Sequence, residues 1–174
     1  MQRILVIGSP GSGKSTLARR LADRLSLPLI HLDREFFRPG WVEPGRSEWR
    51  KRMVQLAARP QWVMDGDYFA TVDVRLPRAT AIVWLDIGRW RCLTNVLWRV
   101  ATSYGQARPD LGPLCIERFD WPFVRWVWRY PHRVRPGILR MLEQARPPQR
   151  TFVLRSWAEI PAVADRLASG PEAA

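Results

Sequence analysis

Lysine is nearly missing from this chain. Of its 28 basic residues only Lys14 and Lys51 are lysines, which leaves 26 arginines. Cysteine is equally scarce. Cys92 and Cys115 form neither a metal-ligand spacing nor a disulfide framework and read as reduced thiols. No apolar run approaches the ~20 residues that cross a bilayer, which excludes a helical membrane protein. The N-terminus carries no charged-then-apolar leader, so the expectation is a cytoplasmic protein. Repeats, low-complexity tracts and long linkers are lacking, and 47% apolar content with 25% charge excludes a disordered chain. Helix-turn-helix, zinc and single-strand-binding signatures are also absent. At 174 residues the length prior favours one domain spanning 1–174.

Acidic residues are the minority, 16 against 28, for a net charge of +12. Such a balance suits nucleic acid or polyphosphate ligands. The arginine skew is the mark of coding bias, and for that reason nucleic acid is a possible partner but not the favoured one.

Against that background one stretch is distinctive. Gly8-Ser9-Pro10-Gly11-Ser12-Gly13-Lys14-Ser15 fits G-x-x-x-x-G-K-[ST], the phosphate-binding P-loop. Ahead of it Arg3-Ile4-Leu5-Val6-Ile7 reads as a buried strand. Behind it Ala18, Leu21, Ala22 and Leu25 recur at helical spacing, with Arg19, Arg20, Asp23 and Arg24 on the other face. Strand, glycine-rich loop and helix give the context the motif needs. Backbone N–H groups and a helix N-terminus then face the phosphates. A chain that uses arginine almost everywhere keeps lysine at position 14, where a slim point charge suits the β- and γ-phosphates.

Further along, Leu29-Ile30-His31-Leu32 ending at Asp33, Gln61-Trp62-Val63-Met64 ending at Asp65, and Ala81-Ile82-Val83-Trp84-Leu85 ending at Asp86 read as strands. Thr151-Phe152-Val153-Leu154 is the fifth. Helices are predicted from Ser47 to about Ala58, from Arg89 to Tyr104 and from Trp121 to an interruption at Pro131. Two more follow, one from Ile138 and one at the C-terminus. The last has two candidate starts, a Ser156–Glu159 capping box or Pro161 as first helical residue. Strands alternating with helices predict an α/β fold with a five-stranded parallel sheet and helices on both faces. In such sheets ligands gather at the carboxyl ends of the strands, so the three terminal aspartates are expected beside the P-loop. Residues 103–120 break the rhythm and carry Arg108 and Arg118, which predicts an inserted, arginine-bearing lid. Phe36, Phe37 and Trp41 either stack on a base or sugar or pack under their loop.

Taken together, the P-loop, His31-Leu32-Asp33 with Pro39-Gly40-Trp41, Asp65-Gly66-x-Tyr68, Leu85-Asp86 with Arg89-Trp90, Arg108-Pro109-Asp110, Cys115 and Phe123-x-x-Trp126 carry a resemblance over nearly the whole chain. It resembles the small P-loop kinases related to adenylate kinase, and more closely the bacterial group called topology modulation proteins. Asp67 and Gly88 depart from the pattern, standing where an amide residue and a proline are usual. The resemblance implies a three-layer P-loop NTPase fold and an ATP-dependent phosphotransferase using Mg2+ with a small-molecule acceptor. The acceptor is a nucleotide, a nucleoside or another small compound. It further implies that Gly8, Gly11, Gly13 and Lys14, with Ser9, Ser12, Ser15 and Thr16, hold the nucleotide. Ser15 and Asp65 would then serve the metal, Asp33 the acceptor or the metal shell, and Lys14 with Arg99, Arg108, Arg129 or Arg133 the transferred phosphoryl. The rival expectation is a nucleic-acid-associated ATPase or a nucleotide-gated regulator.

Overall fold

A computed structural model describes residues 2–107, 111, 114–145 and 149–169. The sheet is built from β1 (Arg3–Gly8), β2 (Leu29–His31), β3 (Trp62–Asp65), β4 (Ala81–Leu85) and β5 (Arg150–Leu154), all parallel, in the order β2-β3-β1-β4-β5. β1 is therefore central, and the chain leaves its carboxyl end directly into the P-loop. Buried on both faces, β1, β3 and β4 are apolar runs, whereas the edge strand β5 exposes Thr151 and Val153. Pleating sends Ile4 and Val6 to one face and Leu5 and Ile7 to the other.

On the first face lie α1 (Lys14–Leu25), α5 (Arg89–Ser103) and α8 (Ile160–Ala168), which contribute Leu17, Leu21, Cys92, Val96, Val163 and Leu167 to the core. The second face is covered by α3 (Arg46–Ala58) and α7 (Arg135–Glu143) through Trp49, Met53, Leu56, Ile138 and Met141. Helix α6 (Trp121–Arg133) straddles the two, burying Val127 in one core and Tyr130 in the other. The short helices α2 (Leu32–Phe36) and α4 (Val72–Arg75) complete the set. Among the described residues no helix is long and apolar enough to cross a membrane.

Three boundaries differ from the sequence reading. Strand β2 stops at His31, and the buried Leu32 opens helix α2 instead of ending the strand. Asp33 therefore sits in the first turn of a helix. Pro131 does not interrupt α6, which runs on to Arg133 before Val134 breaks it. A proline forfeits one N–H bond and strains the turn before it, and a helix already held by buried neighbours carries that for a few residues. At the last helix neither start signal holds as read, because Glu159 Oε1 accepts from Arg155 N–H at 3.1 Å and does not close a box on Ser156, and Pro161 is the second helical residue. The Ser156 hydroxyl accepts from Ala158 N–H at 3.3 Å over a 3-10 turn, and α8 then begins with Pro161 in its first turn.

Candidate active site

The P-loop runs from the end of β1 to the start of α1, and its shape depends on glycine at two positions above all. Gly11 has φ 79°, and a Cβ there would stand 2.2 Å from the Cys92 carbonyl oxygen of α5. At Gly8, φ 151°, a Cβ would lie 2.8 Å from the Leu85 carbonyl oxygen at the end of β4. The loop is thus pressed against its neighbours with no room for a side chain, the close backbone approach for which glycine is used.

Residues remote in sequence hold the loop in this form. Asn95 Nδ2 donates to the Gly11 carbonyl at 2.8 Å, and Trp157 Nε1 donates to the Ser12 carbonyl at 2.8 Å. The Gly8 N–H donates to Asp67 Oδ1 at 2.9 Å. Its other oxygen, Oδ2, accepts from the Tyr130 hydroxyl at 2.6 Å, which ties the loop to α6. Burial raises the Asp67 pKa, opposed by the nearby charge of Lys14 and by these two hydrogen bonds; the net shift is upward. Tyr130 moves the same way, its hydroxyl pushed above the usual range by burial and by the Asp67 carboxylate.

Asp67 belongs to the turn Gly66-Asp67-Tyr68 that follows β3, and this turn organises the other half of the site. Arg75, fully buried, donates to the carbonyls of Gly66, Asp67 and Tyr68 at 3.0, 2.5 and 3.1 Å. Burial lowers the Arg75 pKa to about 10, against the pull of Asp67. The turn packs hard on α2, where a Cβ on Gly66 would meet Leu32 Cβ at 2.9 Å. From it the Tyr68 hydroxyl reaches Asp33 Oδ1 at 2.9 Å. One buried guanidinium therefore fixes both Asp67 against the P-loop and Tyr68 against Asp33.

These elements surround a cavity of about 1090 Å3. Gly11, Gly13, Lys14, Ser15, Thr16, Asp33, Asp67 and Arg99 all contribute to its lining. Asn95 and Arg99, four residues apart on α5, share one helix face, which turns both toward the loop. Arg99 is ion-paired with the buried Glu117, its Nε 3.2 Å from Oε2. Gly8, Ser9 and Ser12 lie behind the loop surface and not in the cavity lining. Ser9 and Ser12 are both buried, and Ser12 Oγ has no partner among the described residues.

The three strand-end aspartates diverge. Asp33 faces the cavity. Asp65, 5% exposed, is not part of the lining, with Oδ2 at 3.0 Å from His31 Nδ1 and Oδ1 without a partner among the described residues. Asp86 accepts from Arg135 Nε at 3.0 Å and Nη2 at 2.9 Å, away from the cavity. The wall expected of Asp33, Asp65 and Asp86 is instead made by Asp33 and Asp67. Arg129 and Arg133 are exposed on α6 outside the cavity lining, and Arg108 lies outside the described residues.

The described residues between 104 and 120 do not form a plain loop. Ala107 and Ile116 make an antiparallel bridge, with Gly105 N–H donating to Glu117 O and Glu117 N–H to Gln106 O. The segment also touches the 38–41 turn, where Trp41 Nε1 donates to the Ile116 carbonyl at 3.3 Å. Sequence reasoning passed over Asn95, Trp157, Arg75 and Tyr130. Asp67 it registered only as a departure from the usual amide, which was the available signal.

Comparison with known proteins bears on this geometry. A family model described as an AAA domain matches residues 4–86, the part that holds the P-loop and the aspartate-bearing turns. No curated protein matches the sequence significantly. Among solved structures, shikimate kinase from Bacteroides thetaiotaomicron is similar at TM-score 0.53 and 16% identity, over 97% of this chain and 96% of that one. Shikimate kinase from Aquifex aeolicus VF5 is similar at TM-score 0.51 and 16% identity, over 98% and 96%. A provisionally assigned kinase from Chloroflexus aurantiacus J-10-fl aligns at TM-score 0.52 and 15% identity over 97% of each chain. The chain has the α/β fold of the P-loop kinases, a five-stranded parallel sheet with helices around it.

Proposed function

We propose that this protein is an ATP-dependent phosphotransferase that moves the γ-phosphoryl group of ATP to a small acceptor with Mg2+. The observation that carries this reading is the sharing of one cavity by the P-loop residues Gly11, Gly13, Lys14, Ser15 and Thr16 and a carboxylate, Asp33, positioned from another element. A phosphate-binding loop alone supports nucleotide binding; a held carboxylate facing it supports transfer. The motifs resemble those of the topology modulation group, whose name describes an effect on DNA and leaves the acceptor open.

In this reading the N–H groups of Gly11, Gly13, Lys14 and Ser15 and the Lys14 ammonium hold the β- and γ-phosphates, with Thr16 at the rim, while Gly8, Ser9 and Ser12 support the loop from behind. Asn95, Trp157 and Asp67 keep the loop in its binding form. The residues present fit a hard divalent cation. Ser15 offers a hydroxyl, and Asp65 offers a buried carboxylate oxygen with no protein partner among the described residues. Among the described residues no cluster of three His, Cys, Asp or Glu side chains is found, and Mg2+ in kinases needs none, taking one or two protein oxygens, waters and phosphates. When bound, it would neutralise charge on the phosphates. Arg99, held by Glu117, is the arginine best placed to stabilise the transferred group.

The test is a panel of nucleosides, nucleotides and other small hydroxyl compounds incubated with ATP and Mg2+, beside Lys14→Ala. Transfer is expected from the parent protein and not from the variant. Transfer that survives Lys14→Ala would remove the P-loop from the active centre. Asp33→Asn should slow transfer to a hydroxyl while ATP affinity holds, whereas equal loss of ATP binding would assign Asp33 to the metal shell.

A second reading rests on a separate observation. Helices α5 and α6 contain no Asp or Glu and expose Trp90, Trp98 and Trp121 among Arg91, Arg125 and Arg129. Such a face supports a nucleic-acid-associated ATPase. It predicts binding that weakens steeply with salt and hydrolysis without an acceptor.

A further inference from the structure

The aromatic residues that follow Asp33 have different surroundings. Phe36 packs under the loop, its ring 5.0 Å from that of Trp49 and 4.8 Å from that of Tyr68. Phe37 and Trp41 instead line the cavity, with ring centroids 5.1 Å apart and planes at 68°. Two rings set at that angle make a corner, which takes a flat ring against one face and an edge against the other.

Trp41 is held in this corner against its backbone preference. It has φ 66°, directly after Gly40 at φ 80°, in a turn where Arg38 N–H donates to the Val42 carbonyl at 2.9 Å. A bulky residue keeps that left-handed conformation only where its surroundings impose it, and such outliers gather at ligand sites. The bond from its indole N–H to Ile116 O fixes the remaining freedom of the ring.

The charged groups that this stretch contributes to the cavity lining have one sign. Asp33 and Glu43 line the cavity, whereas Arg38 turns away to pair with Glu48 and Arg34 is not in the lining. The cations that line the cavity among the described residues come from other elements. Lys14 and Arg19 belong to α1, Arg99 is paired with Glu117, and Arg118 comes from the 104–120 segment. An acceptor bearing its own phosphate or carboxylate would meet like charge at the aromatic corner.

We propose that the phosphoryl acceptor is an uncharged planar heterocycle with a free hydroxyl. In chemical class it is a nucleoside and not a nucleoside monophosphate, its ring in the Phe37–Trp41 corner and its hydroxyl at Asp33. This deepens the phosphotransferase reading and rests on it. The acceptor oxygen forms a bond to the γ-phosphorus of ATP as the bond to the β–γ bridging oxygen breaks. ADP departs with that electron pair, and the hydroxyl proton passes to the Asp33 carboxylate.

The experiment pairs each nucleoside with its 5′-monophosphate, using the full chain with ATP and Mg2+ and identifying products by mass spectrometry. Nucleosides are expected to show higher kcat/KM than their monophosphates. Trp41→Leu should raise acceptor KM about ten-fold, the scale of one lost base–aromatic stack, with ATP KM unchanged, and Trp41→Phe should recover most of it. Should Trp41→Leu fail to fold, the exposed Glu43→Arg replaces it and is expected to shift preference toward monophosphates. Monophosphates preferred from the start, a ringless polyol taken in place of both series, or a preference unmoved by Glu43→Arg overturns the acceptor class and leaves the kinase reading intact. ATP hydrolysis with no acceptor phosphorylated across the wider panel overturns the kinase reading itself.

Discussion

Gly11 and Gly105 offer a matched pair of perturbations. Their φ angles are 79° and 76°, so alanine meets the same left-handed penalty at both, about 1–2 kcal/mol. Their surroundings differ. A methyl on Gly105 meets nothing within 4 Å among the described residues, whereas on Gly11 it lies 2.2 Å from the Cys92 carbonyl oxygen and 3.0 Å from Val96 Cγ2. Gly105→Ala should therefore lower Tm by about 2–8 °C, at 2–4 °C per kcal/mol for a chain of this size. Gly11→Ala should cost a further 1–3 kcal/mol, roughly the range for overpacking. Relief is difficult because the clashing atom is backbone in α5 and not the tip of a flexible side chain. To reach ordinary contact the separation must grow from 2.2 Å to about 3.4 Å. A displacement of that order at a reacting centre costs about 10²-fold in rate. Thermal melting gives the stability difference, and calorimetric titration with ATP reports on the loop. If Gly11→Ala is no less stable than Gly105→Ala and binds ATP equally well, then α5 does not brace the P-loop as described.

Arg75→Met should destabilise the protein by about 3 kcal/mol or more, because three buried carbonyls lose their donor together; urea unfolding measures it. Trp157→Phe keeps an aromatic ring but deletes the pyrrole half of the indole with its N–H to Ser12, so stability should fall by about 1–2 kcal/mol, with weaker ATP binding in calorimetry. The third prediction concerns pH. Since Asp67 has a folded-state pKa above its reference value of 3.8, its favourable contribution is complete below that value and is lost as pH rises through the folded pKa. Asp67→Asn should remove that loss, so melting curves without nucleotide should favour the variant increasingly from acid toward neutral pH.

The parts of the molecule legible from sequence are those whose cause is local. Apolar runs gave the strands, since the central ones, buried on both faces, need nothing but continuous apolar side chains, and the edge strand β5 still carries Phe152 and Leu154 on its buried face. The P-loop announced itself through glycines and a lysine at fixed spacing. Leu32 misled because an apolar residue after an apolar run extends a strand as plausibly as it opens a buried helix turn. Pro131 misled for the opposite reason, a strong local rule overridden by the packing of Val127 and Tyr130 on either side of α6. The braces on the site left no trace in the pattern. Asn95 and Trp157 act on backbone carbonyls, and any residue at Gly11 or Ser12 would present the same carbonyl. Asp86 closes its apolar run just as Asp65 does, and only the position of Arg135 shows it to be otherwise engaged.

The phosphate-binding loop is therefore not a portable part. Eight consecutive residues spell it, yet its carbonyls are tied to α5 and to the approach to the last helix, 84 and 145 positions further along the chain. The loop cannot take its final form until nearly the whole chain has been synthesised and docked. A fragment ending before Trp157 would retain every residue of the motif and β1 through β5, and would still lack the brace on Ser12. Grafting the eight residues into another strand–helix junction would transfer the recognition pattern and leave its scaffold behind.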